Sequence, residues 1–192
     1  MGINKISDKD FLYYASLGHK VDSIEPKIYA NLLGFRKNVS LFNIEKIKES
    51  LSLVNYFVQS IFTKKTCSIL FVNLDEESNI STRLCALRTL QPFFVTNWSS
   101  GKLTNVISRN KIELIFLLSS KNHFFVIQEA NKLNIPVIGL VDSDSSSNMV
   151  AFPIWINDKS LDLHHDVSVM FSAMVLKNEF HPNRKSILNE LD

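Results

Sequence analysis

Residues 111–142 read KIELIFLLSSKNHFFVIQEANKLNIPVIGLVD, and this stretch decides the fold. Residues 114–118 are a short unbroken apolar run, as expected of a strand buried on both faces. Asn122 is placed to cap a helix reaching about Leu133, with Phe125, Val126, Ala130 and Leu133 expected along one side. Pro136 blocks continuation, and Val137–Val141 reads as a second buried strand. Two such strands joined by one amphipathic helix form a βαβ unit, which predicts parallel neighbours and a right-handed crossover.

The flanking sequence repeats the alternation. Asn43 is expected to cap a helix to about Phe62, in which Ile44, Ile47, Leu51, Val54, Val58 and Ile61 recur at three- and four-residue steps. Residues 67–72 read as a strand, Ser78 or Asn79 as the start of a helix through about Leu90 with Ile80, Leu84 and Leu87 inward, and 93–95 as a short strand after Pro92. Residues 152–156 are expected as a last strand. The final helix then runs to about Lys177 with Leu163, Val167, Met170, Phe171 and Met174 inward. Nearer the start, 11–17 reads as a helix ended by Gly18 as a left-handed cap, and Arg36-Lys37-Asn38 as a turn before strand Val39–Phe42. Alternating strands and helices predict an α/β fold of three layers, α/β/α, with a mainly parallel sheet. One domain over 1–192 is expected, with polar residues 178–192 as a mobile tail.

With 45% hydrophobic and 21% charged residues, the chain has the balance of a globular domain, not a disordered one. No apolar run approaches the roughly 20 residues of a membrane helix, so no membrane role is expected. A net charge of +2 means that any nucleic-acid binding has to come from local clusters of Lys and Arg. Cys67 and Cys85 form no CxxC pair and read as buried thiols of a reducing compartment. Met1-Gly2 opens like a myristoylation site, but Ile6 stands where Ser or Thr is needed. The mixed charges of Lys5, Asp8, Lys9 and Asp10 do not resemble a transit peptide. Heavy use of Phe, Ile, Asn, Lys and Ser favours AT-rich codons, which points to an organelle genome.

Glu129-Ala130-Asn131-Lys132-Leu133, then Ile135-Pro136-Val137-Ile138 and Val141-Asp142, resemble the EANKLGIPVIALVD signature of the small-subunit ribosomal protein S-two family. Gly18-His19, Pro26-Lys27, Tyr29, Gly34, Arg36, Asn38 and 41–46 are similar to its opening motifs. Trp98, Gly101, Leu103, Thr104 and Asn105 match its RWLGGTLTN, and Asn157-Asp158 its GNDD. The resemblance implies a flavodoxin-like form of the three-layer fold. It also implies a structural, non-catalytic part in a small ribosomal subunit, between head and body, with ribosomal RNA and neighbouring ribosomal proteins as partners. With the codon bias, it implies a mitochondrial location. Two departures stand out. Bacterial members carry a long coiled-coil insertion after LTN, whereas Asn105 lies only a few residues before the 114–118 strand. Their basic GTK loop is replaced by Asn73-Leu74-Asp75-Glu76-Glu77, which repels phosphate.

Lys20, Lys27, Arg36 and Lys37 surround the first turn, and Lys102 and Arg109 flank the Trp98 loop. Scattered bases of this kind are ordinarily solvated surface, but the resemblance makes them candidate RNA contacts. Lys and Arg suit phosphates, Asn38 and Asn105 suit ribose or base edges, and Trp98 or His19 suit stacking. Trp98 reads equally well as a core anchor for its loop.

Asp142-Ser143-Asp144 is the most enzyme-like spot, because open α/β sheets bind ligands beyond their strand ends. An aspartate-dependent phosphatase using Asp142 and Asp144 is the competing function. Its accompanying later motifs are missing, so a solvated Ser/Asp loop is the expectation. His164 and His165 point about 100° apart and cannot share a metal without a third ligand. His123 reads as structural. No cofactor, metal site or small-molecule substrate is expected.

Overall fold

The computed structural model describes residues 8–21, 24–64, 67–74, 79–94, 98, 101–107, 112–145 and 149–189. In chain order the helices and strands begin with α1 (Asp8–Ala15), β1 (Leu17–Lys20), β2 (Leu32–Arg36), β3 (Val39–Phe42) and α2 (Ile44–Lys64). Next come β4 (Ile69–Val72), α3 (Asn79–Arg88), β5 (Phe93–Phe94), α4 (Lys102–Ile107) and β6 (Leu114–Leu117). The chain ends with α5 (Phe124–Lys132), β7 (Val137–Val141), β8 (Phe152–Trp155) and α6 (Leu161–Asn189). Short 3-10 turns occupy Pro26–Asn31 and Lys121–His123.

Every residue of β4, β6 and β7 is buried, as an all-apolar strand requires. These strands form the middle of a five-stranded parallel sheet, ordered β5-β4-β6-β7-β8. Counted within that sheet the order is 2-1-3-4-5, the flavodoxin-like arrangement. The 111–142 unit forms as its pattern demands: β6 and β7 are parallel neighbours, with Ile115 opposite Val137 and Phe116 opposite Ile138. The chain steps one way from β4 to β5 and the other way from β5 over β4 to β6 and on to β7. Right-handed crossovers therefore put α3 on one face and α4 and α5 on the other. α2 and α6 pack on the α3 side. There Phe171 of α6 stacks on Phe116 at 4.1 Å and meets Phe71 edge-on at 5.9 Å. Phe57 of α2 stacks on Phe152 at 3.8 Å.

Four expectations need correcting. α5 starts only at Phe124 and buries Val126, Ile127 and Ala130, so Phe125 is 69% exposed. At about 100° per residue, Phe125 lies on the far side of Val126 from that stripe. α3 turns Ile80, Leu84 and Leu87 outward instead of inward. Gly18 caps no helix but sits in β1. The final helix does not end near Lys177: α6 continues as helical backbone past Pro182 to Asn189. The two cysteines are buried as expected, and burial pushes the Cys85 thiol up to about 12. Among the described residues, no helix is long and apolar enough to cross a membrane.

Ahead of the parallel sheet stands a small antiparallel sheet, ordered β1-β3-β2, of which only β3 was legible in the sequence. It rests on the strand ends of the large sheet, where the Glu25 N–H donates to the carbonyl of Ser143 at 2.8 Å.

Candidate RNA-binding surface and the polar cluster behind it

β2 and β3 are joined by Lys37 and Asn38, with φ of 48° and 63°. Left-handed backbone at both central residues makes a type I′ hairpin turn, which asparagine tolerates best among ordinary residues. Arg36 and Val39 close the turn as a pair, and Lys20 faces Val39 from the other side. Lys20 and Arg36 therefore flank one residue in a single row, with Lys37 and Asn38 exposed beyond them. Lys27 is exposed nearby in the chain, and Tyr29 and Phe35 meet edge-to-face at 6.0 Å, each about half exposed. Tyr29 lies in a motif matched from the sequence, but neither aromatic was named there as an RNA contact, and Phe35 was missed. The signal for Phe35 was the alternating, half-buried pattern of β2, which only becomes visible once a partner strand is known.

The second group is fastened to α5. Glu129 accepts from the Trp98 indole N–H at 3.0 Å, and from the Thr104 N–H and hydroxyl at 3.2 and 3.3 Å. Trp98 is half-buried against the core, which is the anchoring arrangement. Lys102 is half-buried and Asn105 exposed on α4, while Arg109 lies outside the described residues.

His19 sits apart from both groups, directed inward. Its side chain is 11% exposed, with Nδ1 3.0 Å from an Asp142 oxygen and Nε2 3.3 Å from an Asp144 oxygen. The Asp142 carboxylate against the ring raises the His19 pKa. Burial opposes this, while the charges of Asp142 and Asp144 reinforce it. Lys121 also reaches Asp144, at 2.5 Å, and is raised by that contact. Asp142 is fully buried. One of its oxygens accepts from the Ser143 N–H at 2.5 Å and the other from the Asp158 N–H at 3.1 Å. Asp158 accepts from the Ser119 hydroxyl at 2.8 Å. Burial first, and the Asp142 charge second, push the Asp158 carboxyl up to about 6.

The Asp142–Ser145 loop is thus a buried network and not the solvated loop expected. Ser143 takes part through its hydroxyl, which accepts from the His19 N–H at 2.7 Å and from the Ser40 hydroxyl at 3.0 Å. An aspartate nucleophile needs an open oxygen, and both oxygens of Asp142 face fixed donors. Near the usual ligand crevice, too, described residues meet one another. At the switch point between β4 and β6, His123 is fully buried and its Nε2 accepts from the Leu74 N–H at 2.8 Å. His164 is buried and His165 half-buried on α6. Among the described residues, no group of three His, Cys, Asp or Glu side chains could hold a metal ion.

A family model described as Ribosomal protein S2 matches residues 13–112 and 108–175. The two matched segments meet where the coiled-coil insertion was expected to be missing. Small ribosomal subunit protein uS2 of Mesoplasma florum is 26% identical, over 82% of this chain and 76% of that protein. That alignment is 206 positions long but uses only about 157 residues of this chain, which leaves about 50 positions without a counterpart here. Small ribosomal subunit protein uS2m of Acanthamoeba castellanii is 26% identical over 92% of this chain, which spans 59% of that protein. The uS2m of Marchantia polymorpha is 23% identical, over 77% of this chain and 81% of the relative. The family model covers residues 13–175, well over half of the chain, and the chain belongs to the ribosomal protein S2 family.

Proposed function

We propose that this chain is a structural, non-catalytic component of a small ribosomal subunit of the mitochondrial type, held by ribosomal RNA and by neighbouring proteins. The relatives' names support the assembly, and the uS2m relatives support the organelle. The observation that carries RNA binding is the hairpin tip. A rigid type I′ turn presents Arg36, Lys37 and Asn38 together, with Lys20 in the same row and the Tyr29–Phe35 pair beside them. The bases neutralise phosphates, Asn38 reads a ribose or base edge, and the exposed aromatics offer stacking faces. Lys102, Asn105 and Arg109 supply a second set of contacts around the Trp98 loop. Lys27 adds charge to the first set. His19 and Trp98 act as positioning residues, one holding the hairpin sheet and the other the loop. The polar cluster fastens the hairpin sheet and performs no reaction.

The test is the Arg36→Gln, Lys37→Gln, Lys102→Gln triple variant. Its incorporation into the small subunit should fall, and each lost phosphate contact should lower the salt slope of RNA binding by roughly one unit. Stability should stay within about 1 kcal/mol, since the substituted side chains lie at the hairpin tip and on α4. Normal incorporation and an unchanged salt slope would remove the proposal, as would a chain that never sediments with the small subunit at low salt.

A further inference from the structure

α3 is built inside out. Its inward side carries Ser81, Thr82, Cys85, Ala86 and Thr89, all buried, against α6. Small residues let the two helices approach closely, to the point where the Cys85 Sγ lies 3.3 Å from the Ser168 carbonyl. The inward polar groups are satisfied locally, as by the Thr89 hydroxyl donating to the Cys85 carbonyl at 2.9 Å. This packing accounts for the inward side but not for the outward one. There Ile80, Leu84 and Leu87 stand one above another at helical spacing, 70%, 37% and 62% exposed. A surface helix ordinarily shows the reverse arrangement. Leu90 extends the stripe at 91% exposure, with φ of 53°. That left-handed backbone suits Gly or Asn, and a leucine there is strained.

The surroundings say what kind of partner fits. Arg83 and Arg88 border the stripe, both exposed and without an ion-pair partner among the described residues. Arg83 lies over the ring of Phe93 at 6.0 Å, which carries the apolar surface onto edge strand β5. RNA has little use for a row of aliphatic side chains, which offer nothing to phosphates or base edges. A second copy bound face to face across a two-fold axis would set arginines against arginines. A protein segment with its own apolar stripe, bordered by carboxylates, matches both features.

We propose that the outward face of α3 is the docking surface for a neighbouring protein of the small subunit. That neighbour presents an amphipathic segment whose apolar stripe is bordered by Asp or Glu. Leu84 and Leu87 form the buried centre of the contact, and Arg83 and Arg88 its charged rim. The inference rests on the ribosomal reading above for the assembly in which the neighbour is found.

The test uses the full chain with the photoreactive residue p-benzoylphenylalanine in place of Leu87, irradiated in isolated small subunits. The expected product is a cross-link to one protein, at a segment with apolar residues at helical spacing and carboxylates beside them. A cross-link to RNA, to a second copy or to another part of this chain would overturn the proposal, as would no cross-link at all. Leu84→Glu with Leu87→Glu should weaken retention of that neighbour by about tenfold or more. The thermal midpoint should stay within a few degrees, because neither side chain is buried in the free chain. Tyr56→Glu, on the exposed side of α2, should leave retention unchanged. Equal loss with Tyr56→Glu would also count against the α3 face. If the chain does not sediment with small subunits, the ribosomal reading fails first. The same cross-link is then scored in whatever complex the chain occupies, where a carboxylate-bordered protein segment supports docking and any other product refutes it.

Discussion

Replacing Asp158 by Asn should make this protein more stable at neutral and alkaline pH, although it removes a buried carboxylate with a hydrogen-bonded partner. Asp158 is 9% exposed and lies close enough to Asp142 for the two charges to repel. Its pKa rises from 3.8 to about 6, so the folded chain binds this proton more tightly than the unfolded chain does. The stability linked to that proton is fully present below about 3.8 and is lost as pH rises through about 6. A shift of about two units corresponds to about 3 kcal/mol over the whole range, of which roughly half is lost between pH 5 and pH 8. Asparagine keeps the shape and can still accept from the Ser119 hydroxyl, but it carries no charge to desolvate. Asp158→Asn should therefore gain about 1–3 kcal/mol over the parent at pH 8, and the gain should shrink toward pH 5. Urea titrations at pH 5, 6.5 and 8, followed by Trp fluorescence, measure the difference directly. A variant less stable than the parent at pH 8, or a difference that does not change with pH, would refute the reasoning.

His19 titrates in the same direction: its raised pKa gives stability that is present below about 6.5 and lost as pH rises through the folded value. His19→Gln should remove that share of the pH dependence, visible as a flatter stability profile above pH 6.5. Gly18→Ala should unfasten the hairpin sheet, because an added Cβ would overlap the Ser40 hydroxyl and come within 2.8 Å of that of Ser143. A loss of about 1–3 kcal/mol in urea unfolding is expected for such overpacking. Phe171→Ala removes the ring that stacks on Phe116 and meets Phe71 edge-on, and should cost about 3–5 kcal/mol by the same measurement.

The large sheet was legible because its middle strands, β4, β6 and β7, are buried on both faces, so a plain apolar run followed by a helix and a proline leaves few alternatives. The small sheet was not. β1 and β2 are four and five residues long and half-buried, and β1 holds Gly18 and His19, which carry no strand signal of their own. Gly18 was read as a helix cap because a glycine after an apolar run usually is one. Its actual role, admitting the Ser40 and Ser143 hydroxyls, depends on residues 22 and 125 positions away, which no local pattern encodes. The basic residues of the hairpin could be named from the family motif. Their grouping could not, since the register that sets Lys20 and Arg36 beside Val39 is a tertiary fact. α3 was misread because periodicity shows where an apolar stripe lies on a helix but not which way it faces. The alternative stripe of Ser81, Cys85, Ala86 and Thr89 has the same spacing and sits inward because α6 needs a close approach.

The misread loop and the misread helix point to the same conclusion. In an open α/β enzyme, the strand ends hold a crevice that admits a ligand, and polar side chains there face an open site. Here Asp142, Ser143 and Asp144 have the sequence look of such a site, yet their partners are His19, Ser40, Lys121 and Asp158 of the same chain. These contacts tie the hairpin sheet to the strand ends of the large sheet. We propose that recognition lies on the outside instead, with RNA at the basic hairpin tip and protein at the apolar face of α3. If that division is right, the two surfaces are independent. The hairpin variants should lose RNA contacts and keep the protein neighbour, and the α3 variants should do the reverse. Variants of the inner cluster should weaken RNA binding only as far as they loosen the hairpin sheet. A His19 or Asp158 variant that abolished RNA binding with the hairpin sheet still in place would show that the cluster itself touches RNA.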